Sequence, residues 1–143
     1  MTRRRFLIVL GALSLAGCQA SQESPPQIRY GRDTCAQCGM IISEARFTAA
    51  YRTRQGHWRF FDDIGDMLAY QSAHREDVAI FWVHDYETQE WLRAEGAFFV
   101  KSPALSTPMG HGIVALGSRA RADQLARQVS GDVLTFVELL HAR

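Results

Sequence analysis

A repeated order of hydrophobic patterns constrains the fold of this chain most strongly. Alternating apolar residues at 47–53 and 57–61, joined by a turn at Gly56, predict two antiparallel strands. An aspartate can then cap a helix that begins near residue 64, where apolar residues recur at helical spacing. The continuous apolar run at 78–83 predicts a strand that is covered on both faces.

The second half of the chain repeats this order. Residues 97–100 and 113–116 predict two strands, and Ser118 can cap the helix that follows them. Residues 133–136 predict a third strand, and we expect a final helical turn at 137–142. The order strand, strand, helix, strand therefore occurs twice.

Together these patterns predict an α+β fold of two similar ββαβ units packed as one compact domain. We expect the units at about residues 45–85 and 96–137, within a domain spanning residues 31–143. The helix-to-strand junctions Asp77-Val78 and Asp132-Val133 look alike, which supports an internal duplication.

The N-terminal segment has the pattern of a bacterial lipoprotein export signal. Three arginines precede an apolar run at 6–15, which is too short to span a bilayer as a stable helix. Small residues then lead to Cys18. We expect residues 1–17 to be removed as a signal peptide, Cys18 to be lipidated, and residues 18–30 to form a flexible tether. The general secretory and twin-arginine export routes both fit.

This signal predicts a location on the periplasmic side of a bacterial membrane, and Gln19 favours the outer over the inner membrane. Removal of residues 1–17 changes the formal net charge from +1 to −2, because the segment holds three arginines and no acidic residue. The mature chain therefore lacks the basic balance typical of nucleic-acid binding. It also has no nucleophile elbow and no phosphate-binding glycine loop, so we do not expect an enzyme of those classes.

The segment Cys35-Ala36-Gln37-Cys38-Gly39-Met40 carries the most chemical information. Gly39 stands where c-type haem attachment requires histidine, which excludes haem. A thioredoxin-like dithiol normally follows a strand and starts a helix, whereas this segment precedes the first strand. A zinc site would need further ligands at suitable spacing. A structural disulfide remains open for an exported protein.

Met40 favours copper, because thiolate and thioether donors together select Cu(I). A second soft donor, Met109, lies in a polar loop at residues 102–112, close to His111. These two residues could complete a sulfur and nitrogen site if the two halves face each other. Met40 could instead pack in the core, and His111 could be an exposed loop residue.

Several other residues are interpreted as structural or solvated. We expect Met67 to pack in the core and the pair His84-Asp85 to form a turn at the end of a strand. The acidic residues near residue 64 are explained by the preference of helix N-termini for negative charge. The residues assigned in this way to the helix N-terminus or to solvent are Asp62, Asp63, Asp66, His57, His74 and His141.

Four features in this order resemble the NosL family, the lipoprotein accessory factors encoded with nitrous-oxide reductase. They are the lipidation motif at Cys18, Cys38-Gly39-Met40, Phe60-Phe61-Asp62-Asp63-Ile64 and Thr107-Pro108-Met109-Gly110. The resemblance implies a periplasmic Cu(I)-binding metallochaperone that helps assemble the copper–sulfide centre of the reductase. It also implies a two-unit ββαβ fold similar to part of organomercurial lyase.

By this resemblance Cys38, Met40 and Met109 are expected copper contacts, with Cys35 and His111 as further candidates. The expected partners are the nitrous-oxide reductase apoprotein, as copper acceptor, and the membrane through lipidated Cys18. Two alternatives stay open. The chain could be a thiol–disulfide oxidoreductase using Cys35 and Cys38, or a structural lipoprotein in which these cysteines form a disulfide.

Overall fold

Two antiparallel sheets with matching strand order form the frame of the protein, in a computed structural model that describes residues 24–142. The predicted signal peptide and the lipidated Cys18 lie outside the described residues. The strands and helices are β1 (Ala49–Thr53), β2 (Trp58–Phe61), α1 (Ile64–His74), β3 (Val78–His84), β4 (Trp91–Arg93), β5 (Phe98–Lys101), β6 (Ile113–Leu116), α2 (Arg119–Val129), β7 (Asp132–Thr135) and α3 (Phe136–His141).

The first sheet has the order β2-β1-β3-β4 and the second has the order β6-β5-β7. In each sheet the first strand of the unit lies in the centre, antiparallel to both neighbours. Helix α1 connects β2 to β3, the strands on either side of β1, and α2 connects β6 to β7, the strands on either side of β5. The predicted α+β fold of two ββαβ units is confirmed.

Local capping explains where the helices begin. The side chain of Asp63 accepts a hydrogen bond from the Gly65 amide at 2.7 Å, and Ser118 caps α2 in the same way. Thr135 and Glu138 form a reciprocal capping box at the start of α3. Phe136 therefore begins α3, and its prediction as the last residue of a strand is wrong. Strand β4 was not predicted from the sequence.

The main core lies between the first sheet, α1, α3 and strands β5 and β6 of the second sheet. Its largest fully buried side chains include Tyr51, Phe61 and Phe99, and Met67 is also fully buried, as predicted. A second cluster packs α2 against the second sheet through residues such as Val114 and Leu116. Cys35 belongs to the main core, so the cysteine segment is part of the folded domain.

The folded part of the chain begins before residue 31. Ile28 packs against the main core, and the Tyr30 hydroxyl hydrogen-bonds Nε2 of His84 at 3.0 Å. Part of the segment 18–30 that was predicted as a tether thus packs on the domain. Among residues 24–142, no helix has both the length and the apolar character needed to cross a membrane.

Asp85 connects the two units at the end of β3. Its carboxylate accepts two hydrogen bonds from the Arg121 guanidinium and one from the Gly117 amide. It also accepts from the amides of Glu87 and Thr88, which confirms the predicted turn. Burial alone would raise the pKa of Asp85, but these hydrogen bonds hold it well below its usual range.

Candidate metal centre

Two thiols and one carboxylate converge beside the first turn of α1. The ligand atoms of Cys35, Cys38 and Asp66 all lie within 4.8 Å of one another. The Cys35 thiol donates a hydrogen bond to Asp66 Oδ2 at 3.3 Å. Cys35 and Asp66 are 2% and 3% exposed, Cys38 is half-buried, and both cysteines are free. Three donor atoms of metal-binding type therefore surround one point at the edge of the core.

The backbone of the cysteine segment folds back on itself and so brings the two thiols together. The Cys35 amide donates to the Met40 carbonyl at 2.8 Å, and the Gly39 amide donates to the Cys35 carbonyl at 2.9 Å. Gly39 has φ +75°, a left-handed conformation that glycine adopts without strain. The Ala36 amide donates to the Phe60 carbonyl and ties the loop to β2.

Asp66 is the site residue that sequence reasoning missed. It was assigned to the helix N-terminus, and Asp63, the residue that caps α1, fits that interpretation. Asp66 lies three residues after Asp63, so the two share a face of the helix. The three-residue spacing of these two aspartates was the signal available in the sequence.

The loop of the second unit reaches the same helix end. The Met109 amide donates to Asp63 Oδ2 at 3.1 Å, and the His111 imidazole hydrogen-bonds Asp66 Oδ1 through Nε2 at 3.1 Å. Gly112 makes this path possible, since a Cβ there would lie 2.2 Å from the Ser102 carbonyl oxygen. The two halves thus face each other at this point.

The two methionines lie on the outer side of the loops. Met40 is 55% exposed and Met109 is 37% exposed. The alternative that Met40 packs in the core is therefore wrong. The structure joins Cys35, Cys38 and His111 through Asp66, and it places the methionine side chains at the surface of the two segments that carry these groups.

The negatively charged forms of Cys38 and Asp62 are disfavoured in the metal-free protein, because both pKa values are raised. The pKa of the Cys38 thiol is raised to about 12 by burial, with smaller contributions from Cys35 and Asp66, while a hydrogen bond from the Met40 amide opposes the rise. Burial also raises the pKa of Asp62, reinforced by the neighbouring Asp63 and Asp66 carboxylates. A metal ion that binds the thiols must therefore displace protons.

Three other histidines are solvated, as predicted. His57, His74 and His141 are exposed. His84 is buried, and burial lowers its pKa. Its Nδ1–H donates to the Gln89 carbonyl at 2.9 Å. Among the described residues, only the group of Cys35, Cys38 and Asp66 brings three potential metal-binding side chains together.

The family model for NosL matches residues 28–142, which include both unit sheets and the whole site. This chain belongs to the NosL family. The copper-binding lipoprotein NosL of Stutzerimonas stutzeri is 27% identical over 148 residues, covering 94% of this chain and 78% of that protein. The family expected from the four sequence features is confirmed.

A solved NosL structure shares the fold. The crystal structure of the copper chaperone NosL from Shewanella denitrificans matches with a TM-score of 0.73 and 20% identity. The match covers 84% of this chain and 98% of that chain. The paired ββαβ arrangement described above is therefore a NosL fold.

Proposed function

We propose that this NosL-family protein binds one Cu(I) ion through Cys38, Met40 and Met109, with Cys35 and His111 completing the site, and donates it to an acceptor protein. The observation that carries the proposal is the convergence of both thiols and Asp66 at the end of α1 that the Met109 loop also contacts. Thiolate and thioether donors suit Cu(I) better than zinc or iron.

The site has a buried side and an exposed side, which supports transfer rather than permanent storage. Cys35 and Asp66 are enclosed by the core, whereas Met40 and Met109 are open to solvent. Cu(I) tolerates low coordination, so an acceptor can replace the outer thioethers before it replaces a thiolate. Release then proceeds by stepwise ligand exchange from the methionine side.

The acceptor in this proposal is the apoprotein of nitrous-oxide reductase, whose copper–sulfide centre needs a copper supply. Lipidated Cys18 would hold the chaperone on the periplasmic side of the outer membrane. Support comes from membership of the NosL family, from the lipidation motif in the sequence, and from relatives named as a copper-binding lipoprotein and a copper chaperone.

Anaerobic competition for Cu(I) against a chromophoric chelator tests the binding step on the reduced protein. We expect one tightly bound copper per chain. Cys38→Ser should abolish tight binding and Met109→Leu should weaken it, because each removes one soft donor. Met67→Leu is the matched control, since Met67 is fully buried in the core and lies in α1 rather than in either loop. Undiminished affinity in Cys38→Ser would refute the site.

A transfer assay tests the delivery step. The copper-loaded protein is mixed with apo nitrous-oxide reductase, the two are separated, and copper is measured in each fraction. Copper should move to the reductase, and it should move more slowly to an unrelated apo copper protein. If the protein retained all of its copper, it would still be a copper-binding protein, but nitrous-oxide reductase would not be its acceptor.

One observation favours thiol–disulfide exchange as a second function. The Cys35 and Cys38 sulfurs lie within 4.8 Å of each other, and both thiols are free. This function predicts turnover with a dithiol substrate that is unaffected by Met40→Leu and Met109→Leu. A copper site predicts the opposite dependence, so the same variants separate the two functions.

A further inference from the structure

Gly65, the second residue of α1, occupies a position where no side chain fits. A Cβ built there would lie 2.1 Å from Cγ of His111 and 2.4 Å from its Cβ. The Cβ of His111 is fixed to its own backbone, so rotation of the side chain cannot relieve this overlap. Glycine inside a helix is otherwise unfavourable relative to alanine. The packing of His111 against α1 therefore explains why glycine occupies position 65.

His111 in turn holds the Asp66 carboxylate from one side. Its Nε2–H donates to Asp66 Oδ1 at 3.1 Å, while the Cys35 thiol donates to Oδ2 at 3.3 Å. The carboxylate is nearly fully buried, so these two hydrogen bonds fix its orientation beside the thiols.

The loop that carries His111 is anchored on both sides of the histidine. The Met109 amide donates to Asp63, and the Gly112 amide donates to the Thr107 hydroxyl at 3.1 Å. The Gly112 carbonyl also accepts from the Ser102 amide at 2.9 Å. A displaced His111 therefore cannot regain Asp66 by a small loop shift without losing these bonds.

We propose that Gly65 is a positioning residue of the copper site. By leaving room for the His111 imidazole against α1, it allows His111 to orient Asp66 beside Cys35 and Cys38. Gly65 touches no metal and acts through His111 alone. This inference rests on the proposed copper binding for its functional consequence, whereas the packing relation between Gly65 and His111 stands without copper.

A double-mutant cycle tests the inference on the reduced full-length protein in detergent. Gly65→Ala and His111→Gly should each lower the Cu(I) affinity by about 10- to 100-fold, the usual effect of losing an outer group that orients a metal site. The double variant should be no weaker than His111→Gly, because glycine at 111 removes the Cβ and the ring atoms that the new Cβ would overlap. Gly96→Ala is the matched control, since a Cβ there meets no atom within 4 Å.

Nuclear magnetic resonance gives a readout that a general loss of stability would not move. A ring nitrogen–proton correlation signal that reports the hydrogen-bonded Nε2 of His111 should be present in the metal-free wild type and in Gly96→Ala. It should disappear in Gly65→Ala while the signals of the core remain dispersed. If Gly65→Ala fails to fold, the double variant must still fold and bind copper as His111→Gly does.

Two affinity results would overturn the inference: an affinity of Gly65→Ala within twofold of wild type, or a further loss when Gly65→Ala is added to His111→Gly. A persistent His111 signal in Gly65→Ala would do the same. If the wild type itself fails to compete for Cu(I), the proposed function fails instead. The His111 signal then decides alone whether Gly65 positions the imidazole.

Discussion

At the candidate site, Asp66 is the residue whose side chain accepts hydrogen bonds from both halves of the chain. It accepts from Cys35, which precedes the first unit, and from His111, which lies in the loop of the second unit. A buried carboxylate needs such partners, because removal from water without hydrogen bonds is costly. Its role is therefore to hold the thiol segment and the methionine loop in a fixed relation.

We predict that Asp66→Asn lowers Cu(I) affinity by about 10- to 100-fold while the protein stays folded. Asparagine keeps the shape but removes the negative charge that accepts from Cys35 and His111 together. Competition titration measures the affinity, and Asp123→Asn on the exposed face of α2 is the matched control. Equal affinity in the two variants would show that the carboxylate charge does not act on the site.

At this scale the sequence predicted the residues whose chemistry is unusual and missed those whose role depends on tertiary contact. Cys35, Cys38 and His111 were recognised by type and spacing, and the structure joins them through Asp66. The role of Met40 and Met109 as ligands stays a prediction. Asp66 and Gly65 were missed because a helix N-terminus explains an acidic residue locally, and because a steric gap exists only once His111 is in place.

Strands and helices followed local patterns closely where those patterns were long. Strand β6 and the cap residues Asp63 and Ser118 lie where the sequence predicted them. Strand β4 was missed because its three residues are too few to show alternation. The start of α3 could have been found, since Thr135 and Glu138 have the spacing of a capping box.

Asp85 gives an element-scale prediction about acid stability. Its pKa is lowered in the folded protein, so the stability it contributes is present above about pH 4, the ordinary pKa of an unfolded aspartate. That stability should be lost as the pH falls from about 4 toward the folded pKa. Asp85→Asn should lose about 2 kcal/mol of unfolding free energy at pH 7, because one charge-assisted partner of Arg121 disappears.

Urea unfolding between pH 7 and pH 3 measures this dependence. The stability of Asp85→Asn should fall less with acid than that of the wild type. Asp77→Asn is the control, since Asp77 pairs with Arg54 on an exposed surface, where ion pairs contribute little. If the unfolding free energies of wild type and Asp85→Asn fell equally with pH, the acid sensitivity would arise from a group other than Asp85.

The two units have similar folds but contribute different segments to the candidate metal site. The thiol segment precedes only the first unit, and the loop with Met109 belongs only to the second. The two sheets share a topology, yet each contributes a different part of one site. The internal repeat could be read from the order of patterns, whereas this asymmetry needed the three-dimensional arrangement of the two loops.

This arrangement predicts that copper binding protects the backbone amides of both loops from hydrogen exchange. Hydrogen exchange at residues 35–40 and at residues 107–112 should slow together when Cu(I) is added to the reduced protein, because one ion links the two. Mass spectrometry of peptides measures the exchange, and strand β4 is the internal control. Protection confined to residues 35–40 would mean that the second unit takes no part in holding the metal.

The early start of the packed domain, at Ile28 and Tyr30, limits how far the protein can reach. Only nine residues lie between the proposed lipid-bearing Cys18 and Ile28, and an extended chain spans at most about 35 Å over these ten residue steps. The metal site would then operate within a thin layer above the bilayer surface. An acceptor has to visit that layer, so delivery becomes an encounter on a plane rather than in the full volume of the compartment.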